Sequence, residues 1–367
     1  MSAVADPYRE RLARAAERAG EAGLSAILVS PSADLVYLTG YDPPPLERLT
    51  CLVVRPERDP VLVVPALEAP LAEGTGAGEL AEITAWEETD DPHRLVGEMV
   101  DGDRVGCSDR MWAIHLLRLQ AARPECSFEA ASTVLAGQRA IKDPDELELL
   151  GRAARYADET FHRIVQGRLE TLTEREVAAR LRDLLLESGH DSVAFTIVGS
   201  GPNGASPHHE PTHREIRAGD AVVLDFGGRT GGYCSDVSRT VAVERTPREF
   251  EAVYEVVREA QEAAFQAVAP GVPAQEVDRA AREVIRRSGH GDLFVHRTGH
   301  GIGLEEHEAP YIVEGNEEPL RPGMCFSIEP GVYLPGEFGV RIEDIVAVTE
   351  DGAARLNRAT RDLEIVR

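Results

Sequence analysis

AVVLDFGGRTGGYCSDVSRTVAV, residues 221–243, carries the pattern that decides the fold of this chain. Apolar and β-branched residues fill both flanks, and glycines at 227, 228, 231 and 232 lie between them, so the segment reads as a β-hairpin. Two aspartates, Asp225 and Asp236, stand on it at strand positions. Burying a carboxylate is costly unless it is paired or bound to a metal. With Thr230 and Gly231 as the loop, Asp225 faces Asp236 across the hairpin, about 5 Å apart at Cβ and on one face. Such a pair repels itself unless a cation sits between. Two solvated hairpin carboxylates remain an alternative on this segment alone.

A second segment repeats the pattern. CFSIEPGVYLPGEFGVRIEDIVAV (325–348) places Glu329 on one strand and Glu343 on the next, around a turn at Pro335–Gly339. Arg341 lies two residues before Glu343 and so shares its face. Its guanidinium can neutralise a carboxylate or grip the carboxylate of a substrate in bidentate fashion. Between the hairpins lies HRTGHGIGLEEHE (296–308), with His296, His300 and His307 around a glycine-rich kink. Gly299, Gly301 and Gly303 let the backbone pass close to an ion. Four carboxylates and one imidazole form an oxygen-rich donor set, which suits manganese, cobalt or iron better than a closed structural zinc site. Two ions about 3.5–4 Å apart can share carboxylates and a water and bring that water's pKa into the neutral range.

The rest of the chain sets the context. Its 367 residues suggest two domains, and 43% apolar with 28% charged residues is a soluble globular composition. A formal net charge of −25 repels nucleic-acid phosphates and anionic membranes, so neither is an expected partner. Most of that charge serves solubility. Lys142 is the only lysine among the basic residues, read as a coding bias without mechanistic weight. Cys51, Cys107, Cys126, Cys234 and Cys325 are scattered and form no C-x-x-C pair, which suits a reducing cytoplasm. The first twenty residues are charged and amphipathic, without the apolar core of a signal peptide.

Strands at 24–30, within 50–65 and at 104–108 alternate with helical stretches at 8–22 and from 111, which predicts a small α/β domain. RAIKDPDELELLGRAARYADETFHRIV (139–165) marks a boundary. Asp143 suits a helix N-cap and Pro144 the first turn. Further helices are predicted around 173–189, 247–268 and 273–288, separated by the strand-rich pieces FTIVGS, AVVLDFGG, SRTVAV, MCFSIEPGVY and VRIEDIVAVT. This second part is predicted as helices packed on an antiparallel sheet.

The order Asp225, Asp236, His300, Glu329, Glu343 resembles the ligand set of the pita-bread metallopeptidases, the family of methionyl aminopeptidase, Xaa-Pro aminopeptidase and Xaa-Pro dipeptidase (prolidase). GPNGASPHHEPT, VVLDFGGRTGGYCSDVSRT, HRTGHGIGLEEHE, SIEPGVY and GVRIED carry the likeness. DLVYLTGY (34–41) and its surroundings resemble the creatinase-type domain of prolidases and aminopeptidases P. The resemblance implies a creatinase-like N-terminal domain over 1–135 and an α+β pita-bread catalytic domain over 136–367. It implies two divalent ions, manganese first, with cobalt, iron or zinc as alternatives. In that pattern Asp225 chelates one ion, Asp236 and Glu343 bridge both, and His300 with Glu329 holds the second. Glu329 doubles as general base, His307 hydrogen-bonds the substrate carbonyl, and His208 steadies the scissile amide. Tyr233 and Arg341 match second-sphere or substrate-carboxylate positions. His209 is a further substrate-side candidate, although a neighbour in one loop usually points elsewhere, and His296 reads as a support. The implied activity is hydrolysis of the bond before proline in a small peptide by a cytoplasmic homodimer. Xaa-Pro dipeptidase comes first, Xaa-Pro aminopeptidase second, and a metal-dependent hydrolase of a non-peptide C–N bond third. A binding module without catalysis is a further alternative, disfavoured by the intact carboxylates.

Overall fold

Leu12, Ala15 and Ala19 recur at helical spacing along α1 (Asp6–Glu21) and are buried. The structure, a computed structural model, describes residues 6–367. The first five residues of the N-terminal stretch therefore lie outside the described residues. Apolar runs without alternation then form β1 (Ala26–Val29), β2 (Cys51–Val54) and β3 (Val61–Pro65), with α2 (Ala33–Thr39) between the first two. All their residues are buried, as strands covered on both faces require. α3 (Ala69–Gly74), β4 (Glu82–Trp86), α4 (Pro92–Glu98), β5 (Arg104–Cys107), α5 (Ala113–Ala122), β6 (Ser127–Ala130) and α6 (Ser132–Arg139) follow. The six strands make one mixed sheet in the order β4-β3-β2-β1-β5-β6. Its edge strands β4 and β6 carry exposed and half-buried side chains, so they lack the apolar run that marks the centre. This unit ends at Arg139, and a second compact unit runs from Ala140 to Arg367.

α7 (Pro144–Val165) opens the second unit. Asp143 accepts from the Glu146 amide while the Glu146 side chain accepts from the Asp143 amide, a reciprocal cap that fixes the start of the helix. α8 (Glu174–Ser188) has the same device in Thr173 and Glu176. Both helices press an apolar stripe, including Ala157, Phe161, Leu181 and Leu185, onto β7 (Ser192–Ser200), β8 (Ala221–Thr230) and β10 (Val237–Val243). β9 (Tyr233–Cys234) extends the hairpin beside β8. The arrangement then recurs. α9 (Phe250–Gln266) and α10 (Ala274–Arg287) cover β11 (Gly299–Gly301), β12 (Glu308–Ile312), β13 (Cys325–Ile328), the pair β14 (Gly331–Leu334) and β15 (Phe338–Arg341), and β16 (Asp344–Val348). β17 (Ala353–Arg355) edges this second sheet, and β18 (Ile365–Val366) pairs with β10 in the first. No helix among the described residues is long and apolar enough to cross a membrane.

Two expectations about strands need correction. The first hairpin turns at Gly231–Gly232, whose φ angles are 56° and 86°, so Asp225 lies opposite Ser238 and Phe226 opposite Val237. A two-residue turn of this hand needs positive φ at both central positions, which two glycines supply and Thr230 does not. Asp236 falls in the break between β9 and β10. The other hairpin is also interrupted. Ile328 pairs with Asp344 and Gly331 with Arg341, so Glu329 and Glu343 sit outside the strands, where the chain leaves one sheet for a two-stranded ribbon. The turn of that ribbon is Pro335–Glu337.

Candidate metal centre

The breaks in the strands are what aim the carboxylates. Asp225 is a regular β8 residue, held between Ile197 of β7 and Ser238 of β10. Asp236 is aimed by the bend before β10. There Ser235 is fully buried, its hydroxyl accepts from the Gly228 amide at 3.0 Å, and it lies 2.8 Å from His190 Nε2. His190 Nδ1 donates to the Leu185 carbonyl, so Nε2 accepts from the Ser235 hydroxyl. The bend fits because position 227 has no side chain: a Cβ there would lie 2.0 Å from the Ser235 carbonyl oxygen. Glu329 is fixed by its amide donating to Thr298 O at 2.8 Å, and Glu343 by its amide donating to Ser238 O at 3.0 Å. That last bond ties the second hairpin to the first.

His300 comes from β11. Its Nδ1 lies 3.1 Å from the Gly301 carbonyl, which only accepts, so Nδ1 carries the proton and Nε2 presents a lone pair. Nε2 is 3.3 Å from Glu329 Oε1 and 3.7 Å from Asp236 Oδ2. An imidazole lone pair and carboxylate oxygens this close call for a cation between them. Donor atoms of Asp236, His300 and Glu343 all lie within 4.8 Å of one another. Asp225 Oδ1 and Glu343 Oε1 are buried and take no hydrogen bond. Burial, and then repulsion from neighbouring carboxylates, pushes Asp236 and Glu343 well above the usual carboxylate range. For Glu329 burial raises the pKa, while the nearby His300 ring, then His296 and the Arg341 guanidinium, lower it, to about 2. Orphaned oxygens, an oxygen-rich donor set and one free imidazole nitrogen fit divalent cations.

Arg341 is buried beneath this set. Nη2 donates to Asp225 Oδ2 at 2.6 Å, Nε to the Ser238 hydroxyl at 2.8 Å, and Nη1 to Tyr333 Oη at 3.0 Å and Pro207 O at 3.2 Å. Four of its five N–H groups are thereby engaged within the protein. The grip on a substrate carboxylate is thus the weaker of the two readings, and neutralisation of Asp225 is the geometry present. Burial would lower the Arg341 pKa, but Tyr333 and the surrounding carboxylates drive it well up, so the charge stays. The Tyr333 hydroxyl also meets His296 Nε2 at 2.8 Å, while His296 Nδ1 donates to Arg297 O at 2.7 Å. His296 thus bonds to Tyr333 and to the Arg297 backbone while also lining the cavity beside the carboxylates.

A cavity of about 240 Å³ collects Asp225, Asp236, His300, Glu329, Glu343 and Arg341 with His208 and His307. Phe195 and Ile197 of β7 provide its apolar part. The His307 ring lies 3.9 Å from that of His300, and burial, then the charges of His300 and Arg297, lower its pKa to about 4. His307 is neutral at pH 7. Two candidates are not brought to this cavity. Tyr233 donates to Glu146 Oε1 at 2.7 Å, a bond between the hairpin and α7. His209 turns away from the cavity and meets Glu174 Oε2 at 2.9 Å.

Further residues of the site were not expected from the sequence. Tyr333, Ser238 and His190 had no signal of their own, because their partners are remote in the chain. Lys142 did have one. It is the only lysine, and it forms a buried ion pair at 2.6 Å with Glu308, the residue after His307. A chain that uses arginine everywhere else keeps a compact ammonium at this one enclosed position.

Residues 148–350 match the profile of metallopeptidase family M24, and residues 11–141 that of the creatinase/prolidase N-terminal domain. The chain is 43% identical over 366 residues to the "Probable dipeptidase PepE" of Mycobacterium tuberculosis, covering 99% of this chain and 97% of that one. It is 38% identical over 354 residues to the Xaa-Pro dipeptidase of Lactobacillus helveticus, covering 92% and 94%. The crystal structure of recombinant prolidase from Thermococcus sibiricus superposes with a TM-score of 0.92 at 41% identity, over 97% of this chain and 98% of that one.

Proposed function

This chain is a member of metallopeptidase family M24, and from that premise we propose that it is a Xaa-Pro dipeptidase that uses two divalent ions to cleave the bond before proline. The observation that carries the reading is the convergence of four carboxylates and His300 on one small cavity, with buried oxygens of Asp225 and Glu343 left unpaired. Relatives along the whole chain named dipeptidase and Xaa-Pro dipeptidase support the substrate class. The proposal includes a creatinase-type domain over 1–135, a catalytic domain over 136–367, manganese ahead of cobalt, iron or zinc, a cytoplasmic location and a homodimer.

Asp225, Asp236, His300, Glu329 and Glu343 are the residues that would hold the ions. Bound divalent ions would make a water acidic at neutral pH and polarise the scissile carbonyl. The chain supplies the remaining parts. Glu329 takes the proton of the attacking water and delivers it to the departing proline nitrogen. His307, neutral at pH 7, donates a hydrogen bond to the carbonyl oxygen as it gains charge. His208 at the rim holds the scissile amide. Arg341 holds and orients Asp225, and Phe195 with Ile197 offers apolar surface to the substrate side chains.

Hydrolysis of a Xaa-Pro dipeptide and of a longer Xaa-Pro peptide, after chelation and readdition of single ions, tests this. Metal-restored cleavage of the dipeptide is the expected result. Cleavage of the longer peptide alone would replace dipeptidase by aminopeptidase, and full activity in metal-stripped protein would remove the metal from the mechanism.

A further inference from the structure

Glu174 is a carboxylate with no solvent exposure, and it lies outside the metal centre. It stands one residue inside α8, yet the helix does not need it there. The Thr173 hydroxyl and the Glu176 carboxylate already close the capping box. What Glu174 gathers instead is a loop. Oε1 accepts from the Ser200 amide at 2.8 Å, the Ser200 hydroxyl at 2.7 Å and Asn203 Nδ2 at 3.0 Å. Oε2 accepts from the Thr212 amide at 3.0 Å, the Thr212 hydroxyl at 2.7 Å and His209 Nε2 at 2.9 Å. Ser200 ends β7 and Thr212 lies twelve residues on, so one carboxylate ties both ends of the connection and two points within it. A carboxylate only accepts, and each of these contacts is a donor, which is why an acid occupies the position.

The tied segment carries His208. After a 3-10 turn over Gly201–Ala205 the loop runs without helix or strand to Thr212, and the connection contains Pro202, Pro207 and Pro211. His208 and His209 are adjacent and turn opposite ways: His209 goes inward to Glu174, and His208 lines the cavity. A second tether leads to the metal centre itself. The carbonyl of Pro207 accepts from Arg341 Nη1, the guanidinium that holds Asp225. The loop also rests on bare backbone, because a Cβ on Gly339 would lie 2.0 Å from Gly204 O.

We infer that Glu174 is a positioning residue, whose buried carboxylate, by holding Ser200, Asn203, His209 and Thr212, fixes the loop that presents His208 to the substrate. The inference rests on the reading of His208 as the group that steadies the scissile amide. It gives His209 a role as well: anchored to Glu174, it sets the orientation of its neighbour. A misplaced His208 costs transition-state contact and leaves the ions in place.

The test compares H208A, E174Q and the double variant in the intact protein, reading kcat and KM on a Xaa-Pro dipeptide, Mn2+ affinity by calorimetry, and hydrogen exchange at the Ser200 and Thr212 amides. Expected for E174Q are a roughly 10- to 100-fold loss in kcat/KM, Mn2+ affinity within about twofold of the parent, and faster exchange at both amides. The double variant is expected to be no slower than H208A, since Glu174 acts through His208. Multiplying losses, or a loosened loop with full activity, would overturn the inference. H208A with parental activity would overturn the reading of His208 instead, whatever E174Q does. His209 keeps the question decidable if E174Q fails to fold. H209L removes one donor from Glu174 and is expected to lose activity in the same direction, while H209Q, which still donates, restores it. Equal activity in H209L and H209Q would sink the positioning role.

Discussion

Arg341 separates two accounts of the substrate site, because one guanidinium cannot both hold Asp225 and receive a substrate carboxylate with the bonds it already makes. Its four contacts predict that charge alone will not replace it. R341K keeps the positive charge but loses the planar fork, and R341M loses both. Both are expected to weaken Mn2+ binding by roughly 10- to 100-fold and to lower kcat more than they raise KM. Calorimetry with steady-state kinetics checks this, and a raised KM with intact metal affinity would return Arg341 to the substrate. At this scale the sequence was informative where residue type alone limits the chemistry. Asp225, Asp236, Glu329 and Glu343 stand out because acids within apolar, strand-like segments need a reason to be there, and His300 because it sits in a glycine-rich kink. Tyr233 and His209 could not be placed in the same way. Each has a motif position, but its partner, Glu146 or Glu174, is many residues away, and only the fold shows that the hydroxyl or imidazole is already engaged.

Strand breaks, more than strands, build the centre, and glycine makes the breaks possible. A Cβ on Gly299 would lie 1.8 Å from Ser327 O, so β11 can carry His300 alongside β13 only without a side chain at 299. G299A is expected to destabilise the second unit by about 3 kcal/mol or more and to lower its thermal midpoint by several degrees, with loss of metal binding. G74A is the control, since its Cβ would meet nothing within 4 Å, and it is expected to leave the midpoint unchanged. Scanning calorimetry of both variants decides the point. Element types and approximate spans were legible from period and caps: α7 begins at the residue its capping signal indicates, and α8 runs close to the span predicted for it. The hairpin register was misread by one loop position although its signal was present, in two consecutive glycines able to take positive φ. The error kept Asp225 and Asp236 on one face, because moving the loop by one position changes the pairing by two residues. The interruption at Glu329 was marked by Pro330 and Gly331, which a continuous strand disfavours, whereas Glu343 between Ile342 and Asp344 carried no Pro or Gly signal.

The two units answer to different perturbations, and the tryptophans allow them to be followed apart. Trp86 and Trp112 both belong to the first unit, whereas every candidate ligand belongs to the second. Metal binds the folded second unit, so Mn2+ at about 100 times its dissociation constant is expected to stabilise that unit by about 2.7 kcal/mol, and chelation to remove this. The first unit has its own pH dependence. His93 is buried, with Nε2 at 3.1 Å from His115 Nδ1, and burial, then the charges of His115 and Arg118, lower its pKa from 6.5 to about 4. Between those values the unfolded chain binds the proton and the folded one does not, so stability rises with pH across the interval. The contribution is present in full above about pH 6.5, on the order of 3 kcal/mol, and is lost as the pH falls toward 4. Tryptophan emission during denaturant unfolding is therefore expected to show a midpoint that drops from pH 7 to pH 4.5, less steeply in H93Q, and that stays put when Mn2+ is added. Calorimetry of the same samples is expected to show the Mn2+ shift in the other transition. A tryptophan midpoint that follows Mn2+, or a pH slope unchanged in H93Q, would contradict this division.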